Sequence, residues 1–228
     1  MLPVSLRLPE PDCSRCRSLV ESRSRIVPGV GPLPARVMFV GEGPGAEEDR
    51  QGEPFVGAAG QWLTKMITSL GLGRTQVRIS NAVLCRPEGN RQPTGDEMGH
   101  CRERLAAELA ACDPEIVVAL GATALAALTG QTGVTRLRGT WQNLRPELAG
   151  YEPSRGRPPR VLVMKHPAVL CYNEAGELPG YRHDVGILRH ALEEQPAPPA
   201  APAPMASAPA APAGPEPPRP DQLTLGEW

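Results

Sequence analysis

Residues 36–45 read RVMFVGEGPG, a short apolar run that passes directly into a glycine-rich turn. Three further runs have the same character: residues 77–84 (VRISNAVL), 115–120 (EIVVAL) and 161–165 (VLVMK). Near-continuous apolar runs of this length are typical of strands that are buried on both faces of a sheet. We therefore predict four buried strands.

Helical patterns separate these runs. They cover residues 61–70, 96–112 and 122–129, and a fourth helical pattern at 181–194 follows the last strand. Alternation of strands and helices predicts a parallel sheet with helices on both faces. Residues 138–144 (RGTWQNL) form a weaker extended segment, which we predict to be an added hairpin or edge strand.

The chain has 228 residues, of which 40% are hydrophobic and 21% are charged. These values suit one globular domain, which we place at residues 1–195. Residues 196–220 contain 11 of the 28 prolines together with many alanines, and this composition predicts a disordered linker. Residues 221–228 (DQLTLGEW) become apolar again and form either a docking peptide or a frayed terminus.

The formal net charge of the chain is −1. Overall charge therefore does not indicate nucleic-acid binding, which would have to depend on a local basic patch. The sequence has no uninterrupted run of 18 apolar residues, and its N-terminus lacks the pattern of a secretory signal. We expect a cytoplasmic protein that is not exported and does not contact membranes.

Four of the six cysteines have a spacing that suggests metal binding. Two residues separate Cys13 from Cys16, and fifteen separate Cys85 from Cys101. Two thiolates at the first spacing can reach one metal centre, and a second pair completes four-thiolate coordination. In a cytoplasmic chain such a set favours metal binding over disulfides, but the spacing leaves zinc and an iron-sulfur cluster open. We assign the remaining two cysteines to packing.

The glycine-rich turn at residues 41–45 (GEGPG) superficially resembles a dinucleotide-binding loop. Its glycines have the wrong spacing, Pro44 interrupts them, and the acids at 47–49 follow where a pyrophosphate needs positive potential. A turn that brings the backbone close to a flat ligand, with Glu42 beside it, fits better. The alternative is a turn capped by acids at a helix N-terminus, which explains residues 47–49 but not Glu42.

Three other side chains follow strands or lie in loops at the same predicted edge. Phe55, in a loop bounded by Gly and Pro, either stacks on a base or folds back into the core. Asn81, at the end of the second strand, either reads the edge of a ligand or bonds to nearby backbone. His166 follows the last strand. Because ligands bind beyond the carboxyl ends of parallel strands, we predict that these residues form one site.

The segments 41–60 (GEGPGAEEDRQGEPFVGAAG), 81–93 (NAVLCRPEGNRQP) and 166–170 (HPAVL), with the four cysteines, closely resemble family 4 uracil-DNA glycosylases, the iron-sulfur type. The resemblance spans roughly residues 13–192. It implies a three-layer α/β/α sandwich with a central four-stranded parallel sheet. It also implies a monomeric base-excision repair enzyme that hydrolyses the N-glycosidic bond of uracil in single- and double-stranded DNA, releasing uracil and leaving an abasic site.

The resemblance further implies a structural [4Fe-4S] cluster, whose ligands are Cys13, Cys16, Cys85 and Cys101. It implies two catalytic residues, Glu42 and His166.

Glu42 would orient or activate the attacking water, and His166 would donate to O2 of the departing uracil anion. In the same interpretation Phe55 stacks on uracil, Asn81 reads the base edge, and the backbone of Gly43 lines the pocket.

Four further residues have predicted contacts. We expect Glu48 to exclude the C5-methyl group of thymine, and Arg86 and Arg91 to contact DNA phosphates. In the loop after His166, we expect Leu170, with its neighbour Val169, to wedge into the space that the flipped nucleotide vacates.

Residues Gln222, Leu223 and Leu225 resemble the start of a peptide that binds the bacterial sliding clamp, although Gly226 stands where an apolar residue is usual. Two rival functions remain open. One is a non-catalytic module that only recognises uracil or abasic sites in DNA. The other is a nucleotide-dependent redox protein, which the glycine spacing disfavours.

Overall fold

The computed structural model describes residues 12–150 and 152–194. A five-stranded sheet lies at the centre of this region. Its strands are β1 (Val37–Gly41), β2 (Arg78–Asn81), β3 (Ile116–Leu120), β4 (Trp141–Asn143) and β5 (Arg160–Met164). Their order across the sheet is β2-β1-β3-β5-β4, and all neighbours are parallel except β4, which is antiparallel to β5.

The α-helices of the described region connect and cover these strands. They are α1 (Arg17–Ser22), α2 (Ala46–Gln51), α3 (Ala58–Ser69), α4 (Gly95–Cys112), α5 (Ala122–Thr129), α6 (Val134–Leu137), α7 (Ala168–Tyr172) and α8 (Glu174–Glu194). Thr94 caps α4: its side chain accepts from the Glu97 N–H at 3.2 Å, and Glu97 accepts in return from the Thr94 N–H at 2.8 Å.

Side chains of successive strand residues enter two separate cores, one on each face of the sheet. In β1, Val37 and Phe39 pack with α3 and α8, whereas Met38 and Val40 pack with α4 and α5. All four side chains are almost fully buried. This period of two, with both faces covered, explains why the strand sequences contain no polar alternation. It confirms the predicted three-layer α/β/α sandwich.

The sheet has one strand more than the four-stranded parallel sheet that we predicted. The four parallel strands are present, and β4 adds an antiparallel edge beside β5. It forms where the weak extended segment 138–144 suggested an edge element. Trp141 is only half-buried, and the Arg160 guanidinium lies 4.3 Å from the centre of its ring. An edge strand of this kind is short and mixed in polarity, so its pattern in the sequence is weak.

Among the element boundaries that differ from the predicted ones are those of β2 and α8. Strand β2 ends at Asn81 rather than at residue 84, because the Arg104 side chain binds the carbonyl oxygens of Asn81 and Ala82 and the chain turns there. Helix α8 begins at Glu174 rather than at residue 181, and it includes Pro179. A proline normally ends a helical pattern, which is why the sequence predicted a later start.

The predicted linker at 196–220 and the predicted clamp-binding peptide, with Gln222, Leu223 and Leu225, lie outside the described residues. Both assignments stay predictions. Among the helices of the described region, none combines the length and the apolar character that crossing a bilayer requires.

Candidate active site

The carboxyl ends of the four parallel strands open onto one cavity of about 310 Å³. Strands β1 and β3 are neighbours, while the chain proceeds from β1 to β2 on the other side. This is the position in an open parallel sheet where the strand order reverses, and where a crevice forms between the loops. Six residues predicted to bind substrate line the cavity: Glu42, Gly43, Glu48, Phe55, Asn81 and His166.

Asn81 presents an unused hydrogen-bond acceptor inside the protein. It is 2% exposed, and its side-chain Oδ1 has no hydrogen-bond partner in the described region. Gly41 lies opposite it in the sheet, and a Cβ there would come within 2.5 Å of both Oδ1 and the Phe55 ring. The glycine therefore makes the room that the amide occupies. A buried polar atom without a partner is costly unless a ligand satisfies it.

A buried ionic network supports Asn81 from behind. The Arg104 guanidinium donates to the Asn81 carbonyl at 2.7 Å and to the Ala82 carbonyl at 2.9 Å. Arg104 also pairs with Glu108 at 2.6 Å, and Glu108 pairs with Arg78 at 2.7 Å. Glu108 is 1% exposed, so its buried negative charge needs these two guanidinium partners. The network holds the end of β2 in place.

Phe55 and His166 form a stacked pair on one wall of the cavity. Their ring centres are 5.7 Å apart, with 26° between the planes. Phe55 is 6% exposed and belongs to the core packed around α3, yet it also lines the cavity. Its φ of 56° is in the left-handed region, which a large residue adopts only when its surroundings hold it there. Phe55 therefore packs into the core while it lines the cavity, and its stacking on a base stays a prediction.

His166 is neutral near pH 7. Burial lowers its pKa to about 4, although the nearby Glu48 acts in the opposite direction. The Ala168 N–H donates to Nδ1 of the imidazole at 3.2 Å. In a neutral ring whose Nδ1 accepts, the proton is on Nε2. The imidazole therefore carries one N–H donor at Nε2.

Glu42 is held by a residue that we did not predict. The Thr123 hydroxyl donates to Glu42 Oε2, and the Gln92 side-chain amide donates to the Thr123 hydroxyl oxygen at 3.1 Å. Thr123 is 1% exposed and lies in the first turn of α5, just past β3. The sequence did contain a signal, since residues after β3 share the sheet edge with those after the other parallel strands. The residues predicted for the site follow the first, second and last of the parallel strands only.

Glu48 organises the loops that form the cavity. Its carboxylate accepts from the N–H groups of Gly57 at 2.8 Å, Val56 at 3.0 Å and Gly45 at 3.1 Å. It thereby connects the turn after β1 to the loop that carries Phe55. The predicted exclusion of thymine by Glu48 stays a prediction.

The two predicted phosphate contacts are partly engaged within the protein. Arg86 donates from Nε to Asn90 Oδ1 at 2.8 Å. Arg91 lines the cavity and forms two hydrogen bonds with Glu97, at 2.7 and 2.9 Å. The Arg91 guanidinium is the main cause that lowers the pKa of Glu97 to about 2. Contact of these arginines with DNA stays a prediction.

The structure contradicts the predicted wedge at Leu170. This side chain is 3% exposed and packs in the core with α3 and α8, so it does not project from the surface. Its neighbour Val169 is also packed against that core. Tyr172, at the end of the same short helix α7, is instead 90% exposed. Within the short helix α7, Leu170 faces the core and Tyr172 faces solvent. The sequence of residues 166–170 alone does not show which side chain of a helix faces solvent.

The four cysteines with metal-binding spacing belong to three segments that meet near α1. Burial raises the pKa of Cys16 to about 11, and nearby Cys101, Glu97, Cys85 and Cys13 act in the same direction. The thiols are therefore close enough to interact electrostatically. No three Cys, His, Asp or Glu side chains within residues 12–150 and 152–194 are arranged to hold one metal ion.

An arginine bridges two of these segments. Arg23 donates to Cys85 Sγ at 2.9 Å and to the Cys13 carbonyl at 2.7 Å. The other two cysteines lie apart from the set: Cys112 is buried, with its pKa raised to about 12 by burial, and Cys171 is exposed.

Comparison with known proteins identifies the family. The sequence model of the Uracil DNA glycosylase superfamily matches residues 28–185. A type-4 uracil-DNA glycosylase of Archaeoglobus fulgidus is 39% identical over 70% of this chain and 78% of its own length. A type-4 uracil-DNA glycosylase of Thermotoga maritima is 40% identical over 73% of this chain and 81% of its own length. A type-5 uracil-DNA glycosylase of Pyrobaculum aerophilum is 37% identical over 54% of this chain and 68% of its own length. The chain therefore belongs to the uracil DNA glycosylase superfamily and, within it, to the type-4 uracil-DNA glycosylases.

Proposed function

We propose that this protein is a DNA repair enzyme that hydrolyses the N-glycosidic bond of uracil in single- and double-stranded DNA, releasing uracil and leaving an abasic site. The observation that carries the proposal is the buried, unpartnered Oδ1 of Asn81 in the cavity at the sheet edge. The names of the type-4 relatives support the same activity.

Asn81 would select uracil over cytosine. Uracil presents an N3–H donor and an O4 acceptor, which match Oδ1 and the amide N–H of an asparagine. Cytosine presents an acceptor at N3 and a donor at N4, so it would leave the buried Oδ1 unsatisfied. A site whose buried polar groups hydrogen-bond to one ligand strongly rejects a ligand that lacks the matching donor or acceptor. The flipped base would stack on the face of Phe55.

His166 would stabilise the departing base. When the bond between C1′ and N1 breaks, its electron pair goes to uracil, which leaves as an anion. A donor aimed at uracil O2 is worth most at that stage, because the charge develops only in the transition state. The neutral imidazole with its N–H at Nε2 supplies such a donor.

Glu42 would act on the other side of the reacting sugar. Its carboxylate can orient a water molecule toward C1′, accept a proton from it, and stabilise the positive charge that develops on the sugar. The backbone of Gly43 lines the pocket beside it. A Cβ at Gly43 would come within 2.8 Å of the Val83 side chain, so the turn requires a residue without one.

The DNA surface would surround the mouth of this cavity. Arg86 and Arg91 would contact phosphates, while Glu48 would limit access of a C5-methyl group. With Leu170 buried, Tyr172 takes over as the candidate for contact with bases next to the flipped nucleotide, because its exposed ring closely follows His166 in the chain. Aromatic side chains stack on bases without regard to sequence.

We further propose that Cys13, Cys16, Cys85 and Cys101 hold a [4Fe-4S] cluster. The four thiols are close enough to interact electrostatically, which fits a shared centre. Four thiolates can hold either a tetrahedral zinc ion or a cluster, and the resemblance to the iron-sulfur type of family 4 favours the cluster. Its chemistry here would be structural, since it would fasten the segment before α1 to the loop after β2 and to α4.

The direct test is uracil release from a labelled oligonucleotide that is single-stranded or paired as U:G or U:A. Thymine and cytosine oligonucleotides serve as controls, and alkali reveals abasic sites. Cleavage confined to uracil is the expected result. Iron-replete protein that binds these oligonucleotides but forms no abasic product would favour the non-catalytic DNA-binding module.

The substitution Asn81→Asp tests the base-reading role. An ionised or protonated carboxyl group in place of the amide changes the donor pattern, so uracil specificity should relax or activity should be lost. The matched control is Asn143→Asp, which makes the same change at an exposed position on β4 and should leave activity unchanged. Full uracil specificity in Asn81→Asp would remove this residue from base recognition.

A further inference from the structure

The carboxylate of Glu42 is one end of a hydrogen-bonded chain that crosses the crevice. Glu42 follows β1, Thr123 lies at the start of α5 after β3, and Gln92 lies in the loop before α4. The Gln92 amide donates to the Thr123 hydroxyl oxygen, and the Thr123 hydroxyl donates to Glu42 Oε2. The chain therefore connects the two strands at which the order of the sheet reverses.

The direction of this chain is determined by its members. A hydroxyl group has one hydrogen, and an ionised carboxylate can only accept. Because the Gln92 N–H occupies a lone pair of the Thr123 oxygen, the single hydroxyl proton is directed to Glu42. Thr123 is also 1% exposed and β-branched, so its side chain has little freedom to turn away.

The hydrogen bonds from Gln92 through Thr123 to Glu42 make the two oxygens of the Glu42 carboxylate unequal. Oε2 is occupied by Thr123, and no other hydrogen bond to this side chain occurs within the described residues. Oε1 remains available. Glu42 itself lines the cavity beside Asn81 and His166.

We propose that Thr123, oriented by Gln92, is a positioning residue that holds Glu42 with Oε1 directed toward the attacking water. The inference rests on the proposed function. In the step that it serves, an O–H bond of water breaks and its proton passes to Oε1. The water oxygen bonds to C1′, and the C1′–N1 bond breaks with its electron pair on uracil. Thr123 touches none of the reacting atoms.

The test compares Thr123→Val, which keeps the shape and removes the hydroxyl, with Thr123→Ser, which keeps the hydroxyl. Misplacement of a catalytic group lowers rates by up to about 100-fold. We expect Thr123→Val to slow single-turnover uracil release by about 10- to 100-fold while affinity for the uracil-containing oligonucleotide is unchanged. Thr123→Ser should restore most of the rate.

Two controls separate positioning from a structural role. Thr129→Val makes the same change at the other end of α5, where the hydroxyl bonds only to backbone groups of Leu125 and Gln131, and should keep the wild-type rate. In a Glu42→Ala background, Thr123→Val should cause no further loss, because it acts through Glu42. Gln92→Leu should slow release less than Thr123→Val and add nothing to it.

A wild-type rate in Thr123→Val, or an equal loss with and without Glu42, would overturn the inference while leaving the proposed function intact. Absence of uracil release by the wild-type chain would instead overturn the proposed function, and the positioning role with it.

Discussion

The cavity at the sheet edge and the cysteine region, defined as Cys13, Cys16, Cys85 and Cys101, are organised in opposite ways. In the cavity, the protein itself holds the polar side chains: Thr123 holds Glu42, and the Ala168 N–H orients His166. In the cysteine region, burial is the main cause that raises the pKa values of Cys16 and Cys85, and neighbouring thiols act in the same direction. The Arg23 guanidinium donates to Cys85 Sγ at 2.9 Å, and His100 Nδ1 lies 3.2 Å from Cys16 Sγ. The comparison teaches that hydrogen bonds position the acid and the imidazole of the cavity, whereas burial and mutual proximity govern the thiols of the cysteine region.

The two regions are nevertheless joined by one segment of chain. Cys85 lies four residues after Asn81, and Cys101 lies one helical turn before Arg104, whose guanidinium binds the Asn81 carbonyl. Anything that fastens the two cysteines also constrains the strand end that carries Asn81. The strand end that carries Asn81 and the cysteine region are therefore linked through the same two segments of chain, residues 81–85 and 101–104.

The largest expected effect is that of Cys85→Ser, which removes one of the four proposed cluster ligands. Structural metal sites contribute about 10 kcal/mol or more to folding, which is comparable with the whole stability of a domain. The variant should lose iron and acid-labile sulfide, its thermal midpoint should fall, and uracil release should fall with it. Wild-type protein should be brown and contain both elements.

Cys171→Ser is the matched control, because Cys171 is exposed and lies apart from the set. It should keep the wild-type iron content. Full iron in Cys85→Ser, or colourless wild-type protein with stoichiometric zinc, would contradict the cluster assignment.

Glu42→Ala should impair catalysis in the cavity without an effect on the cysteine region. Loss of a positioned acid or base typically slows a reaction by about 10²- to 10⁴-fold, so single-turnover uracil release should fall in that range. Iron content, thermal midpoint and oligonucleotide binding should remain as in the wild type. Glu174→Ala, at an exposed position of α8, should leave the rate unchanged. A wild-type rate in Glu42→Ala would assign the water to another group.

A smaller effect should appear as a pH dependence of stability. The pKa of His166 is about 4 in the folded protein, below its ordinary value of 6.5. Between pH 4 and pH 6.5 the unfolded chain binds more protons than the folded protein. The contribution of His166 to the free energy of unfolding is therefore intact above pH 6.5 and is lost as the pH falls toward 4. The full loss is at most about 3 kcal/mol.

The measurement is denaturant unfolding of wild type and His166→Gln at pH 7 and pH 4.5. The variant should lose less stability on acidification than the wild type. Equal losses in the two proteins would show that His166 is not held neutral by burial.

The smallest expected effect concerns the rim of the cavity. Removal of an aromatic ring that stacks on a base costs about 1–3 kcal/mol of binding, so Tyr172→Ala should weaken oligonucleotide binding by that amount in fluorescence anisotropy. Tyr172→Phe should bind like the wild type, since the ring remains. Leu33→Ala changes an exposed apolar residue at the amino edge of the sheet and should have no effect. Unchanged binding by Tyr172→Ala would exclude a DNA contact there.

The sequence predicted the four parallel strands and the three layers because burial on both faces demands uninterrupted apolar runs, as in residues 37–40. It also predicted that Glu42, Asn81 and His166 share one edge, since all follow strands at their carboxyl ends. Strand β4 and the first turns of α8 were harder to predict from the sequence. A half-exposed edge strand has little pattern, and Pro179 within a helix contradicts the usual rule.

Sequence by itself determined which residue types are present for the chemistry and that they follow strands at their carboxyl ends, because hydrophobic periodicity is a local pattern. Only the tertiary structure decided that Leu170 is buried while Tyr172 is exposed, that Asn81 Oδ1 has no partner, and that Thr123 holds Glu42. Each of these depends on side chains from segments far apart in the chain, and the direction of a side chain is set by the packing that surrounds it.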